Sequence, residues 1–186
     1  RPDGSMELRG ADGDPVVLEL RGGALADVGE VLAQKVEFSA GELHASGGVR
    51  AQLQRGEKLV DLEVEILEAT FPIFGEPSPS GEVELSLEEV QRCRIVQGEE
   101  SISWSAAKTT LSLMQNEPTA EGEEGELELK LAEAVGGVLL EQAIGGKLLA
   151  ASGERLELLP GGDVRLLGGE GRSVRISGVF PGGDRF

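Results

Sequence analysis

The chain has 186 residues, and 34 Asp and Glu against 17 Lys and Arg leave a formal net charge of −17. That length holds one domain or one elongated array. So acidic a surface excludes the basic footprint that nucleic acid or an anionic membrane requires, and outward-facing Glu on solvated strand faces accounts for it.

Residues 1–14 read as an N-terminal tail containing a linker-like Gly4-Ser5-Met6, so the absence of a leader says nothing about the compartment. From there to residue 178 apolar and polar residues alternate, as in Asp61-Leu62-Glu63-Val64-Glu65-Ile66 and Glu126-Leu127-Glu128-Leu129-Lys130-Leu131. A period of two gives each strand one oily and one charged face. The alternation predicts strands at Pro15 to Leu20, Val31 to Ser39, Glu42 to Ala45 and Val49 to Gln54. A long strand from Leu59 to Phe74, bent near Pro72, comes next, followed by Glu82 to Leu87 and Val90 to Gln97. Then come Ser101 to Ala106, Thr109 to Met114, Gly125 to Glu133, Val138 to Gln142 and Lys147 to Ala151. Arg155 to Leu159, Val164 to Leu167 and Ser173 to Ser177 close the series, and 179–186 reads as a C-terminal tail.

Glycine is abundant at 28 residues and often paired, as Gly47-Gly48, Gly136-Gly137 and Gly145-Gly146. The pairs are expected at turns, where positive φ is needed. They also argue against a helix across Leu139 to Ala151, at roughly 1 kcal/mol per glycine in a helix interior. Two connections stand out. One is the Pro/Ser-rich Phe74 to Gly81; the other is the acidic Asn116 to Gly125, which lacks the alternating ligands of a calcium loop.

Catalytic groups are scarce. His44 sits in Glu42-Leu43-His44-Ala45, pointing away from the apolar face with no partner at metal-ligand or triad spacing. Cys93, the only cysteine, lies between Arg92 and Arg94, but alternation groups it with Ile95 as a buried, inert thiol. Ser101, Ser103 and Ser105 share a face with no base beside them. Neither a phosphate loop nor a dinucleotide fingerprint occurs. The chain reads as a non-enzyme without cofactor or metal.

The expected architecture is all-β, a sheet with an aliphatic interior and no helix to cover it. Its wall candidates are Val36, Phe38, Leu43, Val49, Leu62, Val64 and Ile66 in the first half. They continue as Ile102, Trp104, Leu111, Leu113, Leu127, Leu129, Val138, Leu140, Leu156, Leu158, Val164, Leu166, Val174 and Ile176. Alternation alone fits either a filled core or an open groove. One Trp and no Tyr disfavour a sugar-binding sandwich.

A degenerate repeat joins the two halves. Gly47-Gly48-Val49-Arg50-Ala51-Gln52 runs to the turn Arg55-Gly56-Glu57-Lys58, and Gly136-Gly137-Val138-Leu139-Leu140-Glu141-Gln142 runs to Ile144-Gly145-Gly146-Lys147. The unit from Ala33 to Arg50, the stretch from Gly136 to Leu158, and Gly162-Asp163-Val164-Arg165-Leu166-Leu167-Gly168 resemble the repeat of the OstA-like lipopolysaccharide-transport proteins. Residues 33–70 and 132–178 carry the resemblance. It implies a twisted, half-open β-jellyroll at 15–178 whose trough carries acyl chains of lipopolysaccharide or a related envelope lipid. It further implies a periplasmic or cell-envelope location and strand pairing at the edges, with itself or with other jellyrolls in a bridge between membranes. On so acidic a chain an anionic headgroup calls for local cations among Arg50, Arg55, Lys58, Arg92, Arg94, Arg165, Arg172 and Arg175, for bridging divalent ions, or for a less charged lipid. The alternative is a self-assembling structural β-repeat protein, a bactofilin-like filament or cell-surface β-solenoid.

Overall fold

The computed structural model describes residues 6–11, 13–21, 28–39, 41–70, 82–115, 127–145, 147–160, 163–171 and 173–179. Its regular structure is strand alone: β1 (Met6–Arg9), β2 (Val16–Arg21), β3 (Val28–Ala33), β4 (Lys35–Ser39), β5 (Glu42–Arg55) and β6 (Lys58–Thr70). Then follow β7 (Glu82–Gln97), β8 (Glu100–Gln115), β9 (Leu127–Ile144), β10 (Lys147–Leu158), β11 (Val164–Leu167) and β12 (Arg175–Val179). All twelve belong to one sheet in the order β1-β4-β5-β6-β7-β8-β9-β10-β11, with β2 beside β3, β3 beside β5 and β12 beside β10. Every pairing is antiparallel. The sheet does not close: β1 with β2 forms one end and β11 with β12 the other. Met6–Arg9, expected as tail, is thus a paired strand.

Several expected pairs of short strands are single long ones. Glu42 to Ala45 and Val49 to Gln54 are both β5, and the same fusion makes β7, β8, β9 and β10. The glycine pairs account for the difference. Gly47 (φ 85°), Gly48 (φ 71°), Gly136 (φ 85°) and Gly137 (φ 70°) adopt positive φ, as in a turn, but lie mid-strand. Pairing with the neighbours resumes beyond them, so they form β-bulges. The long strand at Leu59 ends as β6 at Thr70, and the bend expected near Pro72 lies outside the described residues.

All the register shifts but one line up, the exception being that between Ser112 and Leu113 further along β8. Register breaks between Ser46 and Val49 on β5, Glu63 and Ile66 on β6, Val90 and Cys93 on β7, Ser105 and Lys108 on β8, and Gly153 and Arg155 on β10. At the two ends the line passes through whole interruptions of the strand: 10–15 between β1 and β2, Gln34 between β3 and β4, and 168–174 between β11 and β12. There the Gly10 N–H donates to the Gln34 carbonyl at 2.8 Å. Glu89, the only non-glycine residue with positive φ (50°) among the described residues, sits on this line too.

This crease divides the sheet into two wings. Wing one holds β2, β3, β12 and residues 49–55, 58–64, 90–97, 100–106, 138–144 and 147–152. Wing two holds β1, β4, β11 and residues 42–46, 65–70, 82–89, 107–115, 127–135 and 155–158. One face of both wings makes a single apolar cluster in which Val36, Val49, Leu62, Leu87, Val138 and Leu156 are wholly buried. With no helix to cover that face, only the facing wing can shield it.

The crease predicts a graded cost for added side chains. Gly136→Ala would place a Cβ 2.7 Å from the Ala107 Cβ, whereas at Gly137 a Cβ meets nothing within 4 Å. Both substitutions force L-residues to positive φ, at about 1–2 kcal/mol each. Urea denaturation should find Gly136→Ala the more destabilising by a further 1 kcal/mol or so, while both variants keep an all-β circular dichroism spectrum.

Candidate functional site

The interior is built from straight transverse ladders. On wing two, nearest the crease, Leu8, Val36, Ala45, Leu67, Leu87, Thr109, Ala134, Leu156 and Leu166 stand opposite one another in turn. The next ladder outward is Met6, Phe38, Leu43, Ala69, Leu85, Leu111, Ala132, Leu158 and Val164, and a rim of Val83, Leu113 and Leu129 follows. On wing one the matching ladder is Leu18, Val31, Ala51, Leu62, Cys93, Trp104, Leu140, Ala151 and Ile176. Beyond it stand Leu53, Val60, Ile95, Ile102, Gln142 and Leu149.

Most of the expected wall residues fall on these ladders. Val49, Val64 and Val138 flank the crease and are at most 1% exposed. Three expected positions do not conform. Ile66 stands opposite Ser46 and Glu88 on the outer face, because the bulge at Glu65 reverses the alternation and turns Leu67 inward. Val174 precedes β12 in the connection from β11. Ile176 is on the inner ladder but 65% exposed, because its strand is the last of the sheet. Leu127 begins β9, and its side chain lies outside the described residues.

The middle of each ladder is packed shut by the chain itself, so most wall candidates are core side chains in this form. The ladder ends are not covered: Met6 at one end is 51% exposed and Ile176 at the other 65%. Towards the free lips of the wings Phe38, Val60, Ile95, Ile102, Leu129 and Val164 are only half-buried. The interior is therefore an apolar seam that is closed over most of its length, the rim residues Val83 and Leu113 included, and is less covered at both ends and at Val60, Ile95, Ile102 and Leu129.

Sequence alternation did not single out the alanines. Ala33, Ala45, Ala51, Ala69, Ala132 and Ala134 are all buried on the inner face. Their period-two spacing with larger aliphatic neighbours was the available signal.

Thr109 is the only buried polar side chain among the described residues. Its hydroxyl accepts a 3.1 Å hydrogen bond from the Trp104 indole N–H. The two lie on opposite sides of the β8 bulge, so the bond staples the bend from within. Thr109→Val keeps the volume but leaves the indole donor without its partner in a dry interior. Chemical denaturation should show a loss of about 1–3 kcal/mol, and the emission of Trp104, the only tryptophan, should change.

Cys93 is fully buried and free. Burial, reinforced by the Asp61 carboxylate, pushes its thiol well above the ordinary range, so it offers no nucleophile. His44 faces outward, its Nδ1 3.3 Å from a Glu68 carboxylate oxygen. Ser101, Ser103 and Ser105 face outward on β8 opposite Ala143, Glu141 and Leu139. No group of three or more His, Cys, Asp or Glu suited to a metal ion occurs among the described residues. An outer-face hollow of about 270 Å³ lies between β8 and β9, lined by Lys108, Thr110, Ser112, Leu131, Glu133 and Val135.

Charge is segregated between the wings. On wing one Lys and Arg outnumber Asp and Glu eight to six, and the outer face is laced by Arg92 to Asp61 (3.3 Å) and Glu63 (3.6 Å) and by Arg50 to Glu63 (3.5 Å). On wing two the acidic residues outnumber the basic ones twelve to six. Both 71–81 and 116–126, joined to the strand ends of wing two, add further carboxylates by sequence. Wing two and these two connections therefore carry −12 of the net charge of −17.

No family model matches the chain, and no curated protein or solved structure matches it.

Proposed function

We propose that this protein is a non-catalytic carrier of envelope-lipid acyl chains, held between the two wings of the folded sheet. The observation that carries the proposal is the inner face, a broad field of mostly aliphatic ladders with Thr109 as its only buried polar side chain among the described residues, left bare at both ends. An acyl chain has no polar group to satisfy, so such a surface accepts it in any register, at about 0.8 kcal/mol per buried CH₂. The resemblance of 33–70 and 132–178 to the OstA-like lipopolysaccharide-transport repeat supports the same reading. With it go a periplasmic or cell-envelope setting and a cargo of lipopolysaccharide or a related lipid.

Both end strands support a second part of the proposal. Beside β1 with β2, and beside β11 with β12, no further strand is paired among the described residues. These end strands are the edges at which the sheet would be extended by pairing with another copy or with another jellyroll of the same kind. The bared apolar ends, Met6 and Ile176, would then be covered by the neighbour, and the seam would continue from one molecule into the next.

Native mass spectrometry of protein gently extracted from its own cells tests the carrier. Bound lipid is expected, and repeated lipid-free preparations would sink the proposal. Leu129→Glu, on the half-buried rim, should lower bound lipid at least tenfold, since a carboxylate there must either stay ionised among acyl chains or take up a proton. Ile66→Glu and Glu65→Gln, on the outer side of the crease, should leave it unchanged.

A further inference from the structure

We infer that a second copy of this chain docks on the outer face of wing one, along the row of residues just inside the hairpin turns, to form a back-to-back dimer. The contact is separate from the interior and from the end strands, so it neither requires nor blocks the carrier role.

Alternation puts charge on the outer face of the strands, and one row breaks that rule. Register sets Gln54, Leu59, Val96, Ser101, Ala143 and Leu148 opposite one another in turn across β5 to β10, and none of them is charged. The two rows nearer the crease on the same face differ. One holds Asp61, Arg94 and Glu141, and the other Arg50, Glu63 and Arg92. The inner side of the same strand ends carries Leu53, Val60, Ile95 and Ile102. Here the sheet is therefore apolar on both faces, although only the inner one meets a facing wing. Leu148 is 51% exposed, and Leu59, Val96 and Ala143 are half-buried. An aliphatic row rimmed by charge is the signature of a face that another surface covers.

Charge identifies that surface as a second copy. Wing one has eight Lys and Arg against six Asp and Glu, whereas wing two and its two connections carry −12 of the −17. Copies that meet through wing one keep their acidic wings apart, and a contact through wing two would bring them together. An anionic membrane would instead meet Asp61, Glu141 and Glu99 beside the row and be repelled.

The row is also self-complementary. A two-fold axis laid along it turns the partner end for end, so what lies just inside the row on one copy faces what lies just beyond it on the other. On the hairpin of β7 and β8 those positions are Arg94, inside, and Glu99, at the turn. Both are exposed, and neither has an ion pair among the described residues. Each finds its opposite charge in the other copy, and the axis makes the contact twice. Strands about 4.8 Å apart make the row roughly 24 Å long, and with its charged margins it covers on the order of 500 Å² per copy. That is the low end for a specific interface, so the dimer is weak.

Sedimentation velocity of the full chain from about 5 to 500 μM should show monomer and dimer in exchange, with a dissociation constant on the order of 10–100 μM. Leu148→Glu should raise it at least tenfold. Leu139→Glu, 59% exposed on the same face beside the crease, should leave it within about twofold. Arg94→Glu and Glu99→Arg should each weaken the dimer about three- to tenfold. The two together restore the pairing at unchanged net charge and should return it to within about twofold of the original. Circular dichroism and melting temperature check that each variant is folded. A monomer at every concentration overturns the inference. So does a double variant no tighter than the single ones, or association that survives Leu148→Glu, which would belong to the end strands.

Discussion

Everything in this molecule depends on one line of broken register that crosses the whole sheet. A continuous antiparallel sheet of this length would be a twisted ribbon with one face of aliphatic side chains in water. Each strand avoids that by yielding at the same height. Gly47-Gly48 and Gly136-Gly137 do it with consecutive positive φ, β6 and β8 with register slips, and the outer strands with outright interruptions. A bulge bends its strand and sharpens the local twist. One alone would be a local defect; aligned across every neighbouring pair, they become a fold axis. The two halves of the same face then bury each other without a helix or a second sheet.

The glycines are placed where this bend is tightest. A Cβ at Gly47 would come within 2.7 Å of the Gln34 Cβ, and one at Gly136 equally close to the Ala107 Cβ. In both places the neighbouring strand crosses the crease against the glycine, so the two positions play one role in the two halves of the chain. The sequence repeat noticed around Gly47-Gly48-Val49 and Gly136-Gly137-Val138 is therefore a repeat of the bend. Trp104 and Thr109 secure a third strand by a different device, a buried hydrogen bond spanning the bulge.

The strands, their inward residues and the absence of helix could be read from the two-residue rhythm, because burial on one face imposes it directly. What could not be read was continuity. A glycine pair looks the same in sequence whether the chain reverses there, as at Gly145 in the turn before β10, or carries straight on, as at Gly136. Only pairing across the sheet tells the two apart. Ile66 was assigned to the wrong face for a related reason: alternation extrapolated from Leu62 and Val64 runs through a bulge whose effect on phase is not encoded by residue type. The rhythm also undervalued alanine, whose small side chain lets the wings approach where larger residues meet it from the other side. The segregation of charge was hidden because the acidic segments are scattered along the chain; folding each strand at its middle gathers them onto one wing.

The carrier proposed above, its seam closed when empty, would have to exchange one set of apolar contacts for another. Val36, Leu62, Leu87 and Leu156 are already wholly buried in the common core, so exposing them to water would be costly, at roughly 25 cal/mol per Å². Entry of an acyl chain would avoid that cost, since the chain would replace the facing wing as the apolar neighbour and the ladders would remain dry throughout. The crease lets the wings part with little loss of backbone hydrogen bonding, because the ladder is already interrupted there and the pairing within each wing is untouched. The Trp104 to Thr109 bond joins the inner face of wing one to that of wing two within a single strand at the crease, so it sits beside the hinge line and limits how far the wings can rotate there. Filled and open forms would thus differ by rotation about a line where the sheet has already given up its regular pairing, and the partly covered residues at the lips and ends would be where that exchange begins.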